Sequence, residues 1–223
     1  MSRPAKTRGA VHTTAKAGPE AADHVLLHRL LFFSDAVFAI VLTLLVLELR
    51  PPEVASESQL GAALLAMSPR LQAFAASFAL VSVFWLAHLS IMRRLAVFDR
   101  PTAWINLIFL FSIALMPFAS ALLGRYSLAG PAWRIYCMIL IAASLAQTAL
   151  LLSIYRDHGR LVVGAVAPRE FAYRLVRGLA PAMVFTTGLA LGYAGRSDLA
   201  ALCWLLFAPI MFVARLVGPR KPV

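Results

Sequence analysis

The sequence predicts an all-α membrane protein of six transmembrane helices, and three observations carry that reading. Of 223 residues, 61% are hydrophobic and 14% charged, where a typical soluble domain carries about 25% charged residues. Apolar stretches recur along the chain at about the 20 residues a helix needs to cross a bilayer. Most of them lack the polar face that a helix on a soluble core keeps, and mean hydropathy is +0.80. Run length excludes a soluble helical protein.

In chain order, residues 1–22 are basic and polar and rich in Ala and Thr, the composition of a disordered cytoplasmic amino terminus. They are not a signal peptide, because the next apolar run is a full span rather than a short core with a cleavage site. Residues 23–217 form the six-helix transmembrane domain, with spans near 29–49, 70–91, 102–122, 132–155, 175–194 and 199–217. Pro51 and Pro52 stop the first span, and Ser56 or Ser58 is placed to cap a short helix leading into the second. Arg93, Arg94, Asp99, Arg100 and Pro101 separate spans two and three. Span five is the weakest, interrupted by Gly178, Pro181, Gly188 and Gly192, although membrane helices tolerate such residues. The short turn at Gly195–Asp198 makes spans five and six an antiparallel hairpin. Residues 218–223 are a cytoplasmic tail.

Net charge is +11, but the cations lie between the apolar runs, a pattern of topology and lipid headgroups rather than of nucleic acid. One side of the membrane receives 16 Lys and Arg and the other 5, namely Arg50, Arg70, Arg125, Arg134 and Arg196. That bias predicts a multi-pass protein of the cell membrane with both termini cytoplasmic. Glu48, Glu53 and Glu57 then face outward, where they either concentrate cations or simply solvate a loop. Cys137 and Cys203 sit inside apolar runs without metal or redox spacing and read as small hydrophobes. No motif asks for a cofactor.

Ionisable and polar residues within spans are costly and are candidates for function. Ser34, Asp35, His88, Trp104 and Asn106 fall at a similar depth on spans one, two and three, so they can form one buried polar network. Arg29 and Asp35 are six residues apart, about 120° around a helix, so Asp35 must find partners on other helices. The favoured role for this network is holding the bundle together. A separate stripe of Phe33, Val37, Ile40, Thr43 or Leu44, and Leu47 follows helical spacing. The period alone does not distinguish lipid contact or core from anything sharper.

The run from Arg29 through Phe33, Ser34 and Asp35 resembles the R-x-x-x-F-S-D signature of the transmembrane-protein-175 family, potassium channels without the usual selectivity filter. The likeness extends through Phe84, Trp85, His88, Asp99, Trp104, Asn106, Pro117 and the stretch Leu122–Tyr126, with Met116 where Leu is commoner. The resemblance implies a homotetramer with a central pore lined by the first helix. Ile40, Thr43 and Leu47 match the family's pore positions, while Arg29, Phe33, Ser34, Asp35, His88, Trp104 and Asn106 match residues that support packing. It implies modest selectivity for potassium over sodium, apolar constrictions at Ile40 and Leu47 that gate by excluding water, and potassium passing transiently near Thr43. The competing reading is a small proton-coupled secondary transporter using Asp35 and His88, which predicts broken helices and inverted repeats. An enzyme built on Ser34, Asp35 and His88 is disfavoured, since adjacent helical residues point apart and no nucleophile elbow is present.

Overall fold

The computed structural model describes residues 19–95, 99–126, 130–156, 168–206 and 210. The described elements are helical. α1 spans Pro19–Leu47, α2 Leu60–Ala66, α3 Ser68–Met92, α4 Arg100–Ala114 and α5 Met116–Arg125. α6 spans Pro131–Arg156, α7 Pro168–Tyr193 and α8 Ser197–Leu202. Short 3-10 turns precede α2 at Glu57–Gln59 and follow α8 at Cys203–Leu206.

α1 begins earlier than the apolar run does. Pro19 suits the first position of a helix. Residues 19–22 are therefore helical rather than part of a disordered tail. The remainder of the expected amino-terminal tail lies outside the described residues. Ser56 occupies the cap position of the 3-10 turn without a side-chain capping bond. Its hydroxyl pairs instead with that of Ser58 at 2.9 Å.

Span three is not one straight helix. Asp99 starts α4 as an N-cap, accepting a hydrogen bond from the Thr102 N–H at 2.9 Å. The helix then breaks at Leu115, because Pro117 has no N–H for the carbonyl one turn back and its ring crowds that carbonyl. α4 and α5 together still make a single apolar run from Arg100 to Arg125.

Span five does the opposite. The sequence marks it as interrupted, yet α7 runs through Pro181 as a continuous helix of 26 residues. Its glycines are points of close approach. A Cβ at Gly178 would lie 2.9 Å from Thr148 Oγ1, and one at Gly188 would lie 2.8 Å from Cys203 Sγ. After α7 the chain reverses at Gly195, whose φ of 74° is in the left-handed region that glycine adopts freely. The Arg196 N–H closes the helix end on the Leu191 carbonyl at 2.9 Å. α8 packs back on α7, so the expected hairpin begins as drawn. Most of the sixth span expected at 199–217, and the tail at 218–223, lie outside the described residues.

Among the described residues, five helical runs are long and apolar enough to cross a membrane: α1 from Val25, α3, α4 with α5, α6, and α7. The chain is thus a multi-pass membrane protein. α6 sits at the centre of the bundle, against α4, α5 and α7. A large core cluster joins Phe38, Phe84, Phe109, Trp133, Tyr136 and Phe185. A smaller one, around Leu27, Ile91, Leu150 and Ile154, fills the end near Asp99. At that end Glu170 accepts from Arg94 at 2.7 Å and from Arg174 at 2.9 Å, tying α7 to the end of α3.

Candidate functional site

α1 has two faces, and the packing separates them. Leu27, Ser34, Phe38, Val41 and Leu45 are buried, a three-or-four spacing that forms one stripe against α3, α4 and α5. Phe33, Ile40, Thr43, Leu44 and Leu47 are exposed on the subunit, and Val37 is half-buried between the two faces.

On the buried face a chain of hydrogen bonds crosses three helices. The His88 Nε2–H donates to the Asn106 carbonyl oxygen at 2.8 Å, since that oxygen can only accept. The Asn106 amide nitrogen donates to Ser34 Oγ at 3.1 Å. Ser34 donates in turn to the Leu30 carbonyl at 2.9 Å. All three side chains are at most 2% exposed. The imidazole is stacked on Phe109, with ring centres 5.4 Å apart, and lies 5.8 Å from Phe38. Each side chain donates to the next, and the last acceptor is backbone. The arrangement links α1, α3 and α4 through buried side chains.

The structure brings together only part of the network expected from sequence. Ser34, His88 and Asn106 join it. Asp35 does not: adjacent helical residues point about 100° apart, so it turns away from Ser34 and is exposed. Its carboxylate accepts from Trp85 Nε1 on α3 at 3.0 Å. Trp104 is 67% exposed on α4, and among the described residues no hydrogen bond links it to the cluster. Arg29 is exposed and Phe33 is 50% exposed, so neither packs inside an isolated subunit.

On the open face, the Thr43 hydroxyl donates to the Ile40 carbonyl at 2.8 Å. That bond fixes the proton inward and leaves oxygen lone pairs on the exposed side, one turn from Leu47. Oxygen acceptors of this kind are what a hard cation such as potassium takes as ligands.

The polar residues of α6 carried more than the sequence reading gave them. Ser144, Gln147 and Thr148 are spaced three and four apart and lie on one buried face. Gln147 donates to the Phe84 carbonyl on α3 at 2.9 Å, and Ser144 reaches α7. Ser77 and Tyr136 pair at 3.1 Å between α3 and α6. The helical spacing of these side chains was the available signal, because polar groups within spans turn toward protein.

A buried polar seam, a bundle of membrane-crossing helices and one open face on the first of them define a multi-pass helical membrane protein. The family model described as endosomal/lysosomal potassium channel TMEM175 matches residues 29–117, and over that stretch the chain is similar to a family of channels. It is 33% identical over 122 residues to a potassium channel of Streptomyces collinus, covering 53% of this chain and 59% of that one. It is 35% identical over 131 residues to a potassium channel of a Chryseobacterium species, covering 59% of this chain and 66% of that one. The chain thus spans less than two thirds of the length of these curated relatives. Its fold matches the crystal structure of a lysosomal potassium-selective channel TMEM175 homolog from Chamaesiphon minutus. That match has a TM-score of 0.70 at 25% identity and covers 85% of this chain and 98% of that one.

Proposed function

We propose that this chain is one subunit of a potassium channel, a homotetramer whose central pore is lined by α1. The observation that carries this reading is the open stripe of α1. Ile40 is 57% and Leu47 67% exposed, Thr43 stands between them, and the opposite face of the same helix is fully packed. A single helix with one buried and one uncovered apolar face asks for either lipid or other copies of itself. The free hydroxyl oxygen of Thr43 on that stripe supports a cation path over lipid. Four copies would place a ring of threonine oxygens between apolar rings of Ile40 and Leu47. The apolar rings resist wetting and the hydroxyls replace part of an ion's water shell. No ring of acid lies on this stripe, so preference for potassium over sodium is modest and reflects its cheaper dehydration. The charge bias of the loops supports a cell-membrane protein with cytoplasmic termini.

Arg29, Phe33 and Trp104 are exposed on the subunit, and we assign them to contacts between copies rather than within one. The transporter reading is disfavoured because Asp35 and His88 have separate partners, Trp85 and Asn106. The test is ion flux and single-channel recording from liposomes holding the purified protein, with potassium and sodium compared. Unitary currents that favour potassium are expected. Slow saturable flux without unitary events would replace the channel by a transporter.

A further inference from the structure

A cavity of about 660 Å³ opens where α1 ends, α3 begins and α5 ends. These three termini share one face of the membrane, the face that carries only 5 of the chain's 21 Lys and Arg. Cations are scarce there for reasons of topology, yet Arg50, Arg70 and Arg125 all line this one cavity. Glu48 is the single acid among its lining residues. The ion pairs between described residues lie elsewhere, at Arg94, Glu170 and Arg174. Arg125 rests over the Tyr126 ring at 5.9 Å, a contact that leaves its N–H donors free.

Two of the arginines are brought together by helix packing. A Cβ on Gly124 would lie 3.0 Å from Arg70 Cα, so α5 and α3 touch at this point and bring Arg70 and Arg125 to the same cavity. Deeper in, the wall is apolar, with Leu45, Phe74 and Phe118. Three cations facing one carboxylate repel one another, and an anion with several acceptor oxygens relieves that repulsion. Guanidinium matches phosphate oxygens two at a time. A charged rim above an apolar wall, at the level where membrane helices end, fits an amphiphile better than a free ion.

We propose that this cavity binds the phosphate of an anionic phospholipid, with an acyl chain lying along Phe74 and Phe118. The site is separate from the pore assignment and does not depend on it. The test uses the full-length protein equilibrated with mixed vesicles of phosphatidylglycerol and phosphatidylcholine, with retained lipid counted by native mass spectrometry. Phosphatidylglycerol should be retained in preference. The Arg70→Gln/Arg125→Gln variant should lower its retention about tenfold, the worth of a charged hydrogen bond. Arg50→Gln, at an exposed position after α1 that leaves folding intact, should lower it in the same direction. Arg196→Gln, on the same side but outside the cavity, should change nothing. Equal retention of the two lipids, or unchanged retention in the cavity variants, would overturn the proposal. So would millimolar inorganic phosphate protecting the protein from thermal unfolding as well as the lipid does, since the site would then serve a free anion.

Discussion

The hydroxyl of Ser144 stands inside the backbone ladder of α7, donating to the Gly178 carbonyl at 2.6 Å while accepting from the Ala182 N–H at 3.0 Å. Gly178 and Ala182 are the pair that an unbroken helix would bond directly. Pro181 beside them supplies no N–H and crowds the carbonyl of the previous turn. The bond that the proline removes is the one to the Arg177 carbonyl, and one serine from α6 serves the carbonyl and the N–H of the adjacent pair, as polar groups in a membrane helix require where water is absent. Where span five meets its proline, a residue on span four is bonded into it.

Ser144→Ala should therefore leave two buried backbone groups poorly paired and cost about 1–3 kcal/mol. Pro181→Ala in the same chain should recover much of that loss, because the helix can then close its own ladder. Thermal unfolding of both single variants and of the double variant, read as a mutant cycle, checks this. Additive losses would remove the link between Ser144 and Pro181.

How far the sequence could be read is visible in the same place. Span positions were legible because a run of apolar residues of the right length has few other uses. Ser34 and Asn106 were legible as buried because a polar group inside a span must find a partner. What a one-dimensional reading lacked was the partner. Trp104 shares the depth of Asn106, yet sits about 200° around α4 from it and faces outward. Asp35 follows Ser34 directly, so one of the two had to leave the seam. The break at Pro117 and the continuity at Pro181 also have the same local sequence cause with opposite outcomes. At Pro181 a neighbouring hydroxyl bonds into the same turn.

Asn106 occupies the middle of the seam, with His88 on one side and Ser34 on the other. Asn106→Leu should orphan the His88 N–H and lower stability by about 1–3 kcal/mol. If the seam is structural, channels that still assemble should keep their potassium-to-sodium reversal potential. A shift in that potential, at unchanged tetramer content, would instead place Asn106 in contact with the ion path.

Asp99 gives a pH dependence whose sign follows from its bond. Hydrogen bonding from Thr102 holds its carboxyl below the usual carboxylate range. The stabilising effect is therefore present above the unfolded pKa of about 4 and lost as pH falls through the lower folded value. Asp99→Ala should cost on the order of 1 kcal/mol at neutral pH, the worth of an N-cap. The gap between variant and parent should close in acid. Unfolding midpoints across that range check it, and a gap independent of pH would mean the loss is not from the cap.

Ile40 is the bulkiest apolar group at the centre of the open stripe. If it forms a dewetted ring, Ile40→Asn should raise conductance and reduce selectivity, because a polar ring wets the constriction and lets hydrated ions through. Unchanged currents in reconstituted bilayers would remove Ile40 from the constriction.

Thr43 separates the two parts of its side chain by task. The hydroxyl proton is committed to the Ile40 carbonyl, and the oxygen is turned to the open side. Thr43→Ser keeps both the donated bond and the outward oxygen, so it should keep potassium preference. Thr43→Ala removes the oxygen ring and should reduce that preference by a few-fold, on the order of 1 kcal/mol in relative barrier. Thr43→Val keeps the shape without the oxygen and should behave like Ala. Reversal potentials under opposed potassium and sodium gradients distinguish the three. If Val and Thr were alike and Ser differed, the methyl group rather than the hydroxyl would be setting the pore, and selectivity would have to come from the width left by Ile40 and Leu47.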